Sequence, residues 1–312
     1  VYKRQPDNLT LVAINDLTDT DTLAYLLEFD SVHGRLAGPV ESSNCQLRVS
    51  DNEIPVYHHS EPERLPWSDL AVDWVLEGTG KFRKLEDASK HITAGARKVL
   101  ISAPSESADL TIIYGVNQHE FEPDAHCVIS NGSCTTNSLV PALSVLLEHY
   151  GIETASATTI HAYTSSQGLV DVASRKRIRG RAAAVNLVPT STGADKVVTA
   201  VLPELAGKFC ALAVRAPIPD GGLTDMTVRL QQAVTEAQIN QCLADACQDK
   251  LKGVMDFTQQ EWVSSDIIGN PHSAIVHGLS TRVIGDRTVK IQVWYDNEYA
   301  YACRLLDLLE TL

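Results

Sequence analysis

The hydrophobic pattern of this chain changes period once, just after residue 133, and that change limits the possible folds more than any other feature. Before it, short apolar runs alternate with helical ones. LTLVAIND (residues 9–16) reads as a buried strand, residues 20–29 as a helix behind an Asp/Thr cap, and QLRVSDNEIPVYHH (residues 46–59) as a hairpin turning at Asp51-Asn52. DWVLEG is another strand, LEDASKHITAG a helix closed by Gly95, and KVLISAP, LTIIYGV and CVIS are three more strands. This alternation predicts an α/β unit with a parallel, doubly wound sheet. After it, a long apolar helix starts at Cys134 and ends near Tyr150. Residues 165–192 are irregular and carry Arg175, Lys176, Arg177, Arg179 and Arg181; a segment of that length without regular elements is usually functional. GADKVVTAVLPELAG is a helix, and CALAVRAPI, LTDMTVRLQQ and TRVIGDRTVKIQVWYD alternate with period two, the last as a hairpin turning at Gly285-Asp286. They predict an α+β unit with a largely antiparallel sheet. The final helix, residues 299–312, is amphipathic, with Leu305, Leu306, Leu308 and Leu309 on its apolar side.

At 312 residues the chain is long enough for two domains, each with its own core. Its net charge of −13 argues against nucleic acid or an anionic membrane as a partner, although a local arginine cluster can still hold a small anion. The seven cysteines are scattered without a CxxC pair, which points to a reducing cytoplasm and away from disulfides or zinc. His272 and His277 lack metal-ligand spacing and read as structural, and no apolar run reaches membrane-spanning length.

Chemistry concentrates at SNGSCTTN, residues 130–137. A strand breaks at Asn131-Gly132, and Cys134 falls in the first helical turn, where backbone N–H groups lack partners and the dipole is positive. The expectation is a thiol with a depressed pKa, a nucleophile near neutral pH. His161 comes late in the next strand, ETASATTIHAY, and adjacent strand ends could bring it to Cys134 as a Cys–His pair for covalent catalysis. Taken singly, each has a plainer reading: a small buried cysteine and a hydrogen-bonded structural histidine.

With SNGSCTTN, TTIHAYT, NLVPTSTGADK, AVRAPIPDGG and WYDNEYAY in this order, the chain resembles the phosphorylating glyceraldehyde-3-phosphate dehydrogenases from about Leu9 to its end. The resemblance implies a Rossmann-like NAD-binding domain over residues 1–133 and a catalytic domain over 134–298, with the helix at 299–312 returning to the first. It implies Cys134 as nucleophile and His161 as general base. Thr164 and Arg215 would hold the substrate phosphate, and Ser133, Thr135, Arg179, Thr192 and Gly193 the attacking phosphate. Asp16 would meet an adenosine ribose hydroxyl, and the apolar Leu17 beside it favours NAD over NADP. Asn297 would fix the nicotinamide amide, with Thr79, Gly80 and Ser102 lining the cofactor cleft. It also implies a phosphosugar and inorganic phosphate as ligands, a homotetramer, and glycolysis in the cytoplasm.

The chain departs from that pattern at its start. The family places a strand, a G-x-G-x-x-G turn and a helix before the counterpart of LVAIND, whereas only VYKRQPDN precedes Leu9. The expectation is an N-terminally truncated first domain that binds NAD weakly. Ser165-Ser166 replaces the usual Asn-Asp, Gly132 replaces Ala, and Tyr299-Ala300-Tyr301 replaces an ending with Gly before the last Tyr. Erythrose-4-phosphate dehydrogenase shares the SCTTN core but lacks the Ala-Tyr-Thr run and alters the PTSTG loop, both of which are kept here. A thiol hydrolase would leave Asp16 and Asn297 without purpose, and a catalytically silent chain is the reading that the short start allows.

Overall fold

The computed structural model describes residues 8–312, so the reading of the first seven residues as foreign to the family lies outside it. The chain divides into two compact units. One comprises residues up to Leu110 together with Glu122–Ser130 and Leu306–Leu312; the other comprises Thr111–Phe121 and Asn131–Leu305.

In the first unit the strand Ile14–Asn15 runs parallel to Asn52–Tyr57. It is two residues long and half-exposed, much shorter than the buried strand expected over residues 9–16, because Asn52–Tyr57 is its single partner strand among the described residues. Helix α1, Thr20–Glu28, starts where the Asp19 side chain accepts from Thr22 N at 2.8 Å. The Gln46–Val49 and Asn52–Tyr57 strands form the expected hairpin, with Val49 opposite Asn52, so the turn falls at Ser50-Asp51, one residue early. Trp74–Glu77, Lys98–Ile101 and Val128–Ser130 run parallel, as the alternating pattern requires. Helix α2, Leu85–Thr93, crosses between the first two of these. Gly95 ends it at φ +107, and an added Cβ there would lie 2.5 Å from the Ser68 side chain. Val75, Ala88, Val99, Ile101 and Val128 form the core between helix and sheet.

The second unit is built on one sheet of eight strands. Ile152–Ala162 lies at its centre, parallel to Phe209–Ala216 and antiparallel to Gly222–Leu230, which pairs in turn with Thr288–Tyr295. Val188–Ser191 extends one side, and Ala274–His277 and Met255–Thr258 the other. Five of its pairings are antiparallel and two parallel, in keeping with the two-residue alternation. Helix α3, Cys134–Tyr150, packs its fully buried Leu139, Val140, Leu143 and Leu146 on this sheet, along with α4, Ala194–Val201. Burial of each such leucine stabilises this core by roughly 2 kcal/mol. Helix α5, Glu236–Gln248, and the strand Met255–Thr258 go beyond the sequence reading, as does the strand Val188–Ser191, which lies inside the segment read as irregular because its pairing partner, Phe209–Ala216, is distant in sequence. The Thr235/Gln238 capping box is the local signal that announces α5. Helix α6, Tyr299–Thr311, is divided, with Leu306–Leu312 counted in the first unit. Among the described residues, no helix is long and apolar enough to cross a membrane.

Candidate active site

Sheet register assembles the chemical groups of the second unit in one row. His161 faces Arg215 on one neighbouring strand and Gly222 on the other, and Gly222 faces Tyr295 on the strand beyond. Residues far apart in sequence therefore meet at one level of the sheet. Helix α3 begins beside them. Its N-cap Ser133 and Thr136 cap one another: Thr136 N donates to Ser133 Oγ at 3.2 Å, and Ser133 N to Thr136 Oγ1 at 2.7 Å. The preceding turn holds Gly132 at φ +62, and an added Cβ there would sit 2.6 Å from Thr136 Oγ1.

This places Cys134 Sγ 3.4 Å from His161 Nε2, the pair anticipated from the sequence. On its other side, His161 Nδ1 lies 2.7 Å from Ala162 O and 2.8 Å from Arg215 Nη1, and that same nitrogen of Arg215 donates to Ala162 O at 2.8 Å. If Nδ1 carries the proton it donates to Ala162 O and leaves Nε2 bare toward sulfur. If Nδ1 is bare it accepts from Arg215, and Nε2 carries a proton toward sulfur. Burial drives the His161 pKa down to about 4, and the Arg215 and Arg179 charges add to that.

The thiol departs from expectation. Burial pushes the Cys134 pKa up, and the Arg215 charge and the Thr135 donors only partly offset this. Burial therefore works against ionisation of the sulfur in the free site, while the Arg215 charge works for it. The helix start favours sulfur's negative charge, but desolvation of a thiolate outweighs it here.

The other residues anticipated in this unit make contacts of their own. Thr135 is buried, with Oγ1 3.3 Å from the Tyr295 hydroxyl, which lies 2.7 Å from Thr159 Oγ1. Thr164 Oγ1 is 2.8 Å from Ser166 Oγ, so one of the two serines that depart from the family pattern touches it. Arg179 Nε donates to Thr190 Oγ1 at 2.8 Å and Nη2 to Ser191 O at 3.3 Å. Thr192 Oγ1 accepts from Ala194 N at 3.2 Å, and the exposed Gly193 is the N-cap of α4. Arg215 Nε is buried and has no acceptor among the described residues. Asn297 Oδ1 accepts from Gly221 N at 2.9 Å, which sets its amide plane. Gly221 N also donates to Asp220 Oδ1 at 2.7 Å, and burial and then the Asp296 charge push the Asp220 carboxyl up. Arg181 pairs with Asp171 at 3.2 Å, away from any phosphate role.

Tyr295, Gly222, Thr190 and Asp220 escaped the sequence reading. Tyr295 was legible in principle, as the inward position of the alternating run IQVWYD with a hydroxyl needing a partner. Gly222 is required by it: an added Cβ would lie 2.7 Å from the Tyr295 hydroxyl oxygen and closer still to the ring.

In the first unit, Asp16 is exposed, with Oδ1 accepting from Thr18 N at 2.8 Å. Thr79 and Ser102 follow the carboxyl ends of two parallel strands, where such sheets bind ligands. Ser102 N and Oγ both donate to Glu77 O at 3.0 Å. An exposed carboxylate, the exposed apolar Leu17 beside it and hydroxyl groups at strand ends suit a dinucleotide bearing free ribose hydroxyls.

Residues 133–297 match the C-terminal domain of glyceraldehyde 3-phosphate dehydrogenase, and residues 1–85 its NAD binding domain. The chain belongs to the glyceraldehyde-3-phosphate dehydrogenase family. It is 46% identical over 305 residues to the Geobacillus stearothermophilus glyceraldehyde-3-phosphate dehydrogenase, covering 98% of this chain and 91% of that protein. The Thermotoga maritima member is also 46% identical, over the whole chain and 93% of its own length. That from Haloarcula vallismortis is 46% identical over 97% of the chain and 91% of its own length. The family matches give an NAD-binding unit followed by a catalytic one, the order that the resemblance implied.

Proposed function

We propose that this chain is an NAD-dependent, phosphorylating aldehyde dehydrogenase that converts D-glyceraldehyde 3-phosphate and inorganic phosphate to 1,3-bisphosphoglycerate. The observation that carries this is the 3.4 Å Cys134–His161 pair with Arg215 bonded to the far side of the same imidazole and its Nε unpartnered. Cys134 Sγ adds to the aldehyde carbon, and the sulfur proton passes to the bare Nε2 of His161. The resulting oxyanion is stabilised by the Cys134 backbone N–H and the His161 Nε2–H, and takes up the proton as a thiohemiacetal hydroxyl. His161 then removes that hydroxyl proton as the carbon is oxidised to the thioester. Bound NAD supplies the two-electron acceptor for this oxidation. Phosphate attacks the thioester carbon and Sγ leaves as the thiolate, which takes back the proton held on His161 and so restores the thiol.

Thr164 and Arg215 hold the substrate phosphate, and Ser133, Thr135, Arg179, Thr192 and Gly193 the attacking one. Asp16, Thr79, Ser102 and Asn297 hold NAD. Residues 1–133 with the helix at 299–312 form the cofactor domain, and 134–298 the catalytic domain. We assign the enzyme to the cytoplasm and to a homotetramer. Seven unpaired cysteines support the former, and the exposed Leu169, Val170, Val185, Leu187 and Leu212 support the latter, since a monomer rarely leaves so much apolar surface in water.

The test is NADH formation from purified chain, NAD, D-glyceraldehyde 3-phosphate and phosphate. A rate that needs phosphate and disappears in Cys134→Ala supports the assignment. A faster rate with erythrose 4-phosphate, or one indifferent to phosphate, would overturn it.

A further inference from the structure

A chain of hydrogen bonds leads from the core of the first unit to its surface. Trp67, His91 and Glu77 are 5%, 4% and 3% exposed, whereas Thr79 is exposed. Trp67 Nε1 donates to His91 Nδ1 at 3.0 Å, and His91 Nε2 lies 3.1 Å from Glu77 Oε2. The other carboxylate oxygen, Oε1, accepts from Thr79 N at 2.7 Å and from the Thr79 hydroxyl. Lys81 N donates to Thr79 Oγ1 at 3.1 Å, and Gly80 sits between at φ +70.

Direction is forced at every link. An indole N–H can only donate, so His91 Nδ1 must be bare and Nε2 must carry the proton. Glu77 receives that proton's hydrogen bond on one oxygen and the Thr79 donors on the other, which suits a carboxylate and no neutral isostere. Burial works against the Glu77 charge, yet the His91 and Thr79 donors hold its carboxyl below the usual carboxylate range. A fully satisfied buried network of this kind admits one arrangement of its members.

We propose that Trp67, His91 and Glu77 are positioning residues that fix the 79–81 turn for NAD, so that cofactor affinity depends on the one-way donor order running out from Trp67. This rests on the assignment of Thr79 to the cofactor site. Glu77→Gln breaks the order wherever its amide points. With the amide oxygen toward Thr79, its NH2 group requires a bare His91 Nε2, which puts a proton on Nδ1 against the Trp67 N–H. With the oxygen toward His91, the NH2 group opposes Thr79 N. Removing the far donor with Trp67→Phe relieves the first arrangement. His91→Gln keeps both functions, an oxygen for Trp67 and an N–H for Glu77.

The decisive experiment is NAD titration of the full chain and of Glu77→Gln, Trp67→Phe, the double variant and His91→Gln. The Cys134 alkylation rate, reporting on the other unit, serves as a folding control. Glu77→Gln is expected to raise the NAD Kd about tenfold, as the loss of one buried hydrogen bond would. The double variant should recover most of that, and His91→Gln should stay within about threefold of wild type, with kcat at saturating NAD unchanged in all. A double variant that binds NAD more weakly than Glu77→Gln overturns the proposal, since a packing role makes the two losses add. Amide exchange separates this from the parent assignment. If NAD does not slow exchange at residues 79–81, the cofactor role of that turn fails. If NAD does slow it and the double variant shows no recovery, the donor order fails.

Discussion

His91 and His161 are buried to nearly the same degree, 4% and 5% exposed, yet their ring nitrogens are treated differently. His91 lies between a group that can only donate and a carboxylate that can only accept, so its tautomer is settled. His161 Nδ1 faces a donor, Arg215 Nη1 at 2.8 Å, and an acceptor, Ala162 O at 2.7 Å, so both tautomers have a partner. The first arrangement suits a histidine that holds structure in place. The second suits one that must accept a proton from sulfur or a hydroxyl and give it back. The contrast separates the two roles without reference to burial or residue type, which the two histidines share.

Removing the mobile proton should have the largest effect. His161→Asn is expected to lower kcat about a thousandfold, the range for loss of a positioned general base, with little change in NAD affinity. A loss of only a few-fold in single-turnover measurements would place His161 with His91 as a structural residue.

The next effect is on the pH dependence of stability. With its folded-state pKa near 4 against an ordinary 6.5, His161 is bare in the native state where the unfolded chain binds a proton. Stability from this group is therefore complete above pH 6.5 and falls as the pH drops toward 4, by on the order of 3 kcal/mol. Urea unfolding of wild type and His161→Asn across that window should show a shallower slope in the variant. Equal slopes would mean that His161 is not held neutral by the fold.

Arg215→Leu tests the donor facing Nδ1. It should cost about a hundredfold in kcat/KM with the sugar phosphate, the range for a charge-assisted bond, and far less with unphosphorylated glyceraldehyde. Equal losses with the two substrates would show that Arg215 acts on the imidazole alone. Arg179→Leu is milder. Its side chain is already braced on Thr190 and Ser191, and the KM for inorganic phosphate should rise about tenfold, with the aldehyde KM steady.

The groups legible in the sequence were those whose geometry is local. Cys134 at a helix start follows from a strand, a turn and a cap in consecutive residues, and the α6 leucines follow from one helical period. Arg215 was picked out by motif resemblance rather than spacing, and its meeting with His161 was not foreseen, because parallel register between distant strands leaves no mark in either strand alone. The same holds for Gly222 beneath Tyr295 and for the Trp67–His91–Glu77 chain, each of which depends on where several separate segments stop. The sign of the Cys134 shift was missed for another reason: the helix start is visible in sequence, but the depth at which it lies is not.

Gly222 acts through the side chain it lacks. Strand interiors favour residues that cover the pleated surface, and a bare position there ordinarily weakens the sheet. Here the neighbouring phenol has taken over the vacated room and braces both the strand of His161, through Thr159, and the helix of Cys134, through Thr135. The smallest residue in the row thus lets one aromatic ring act as a spacer, keeping sulfur and imidazole at a working separation that neither could hold alone.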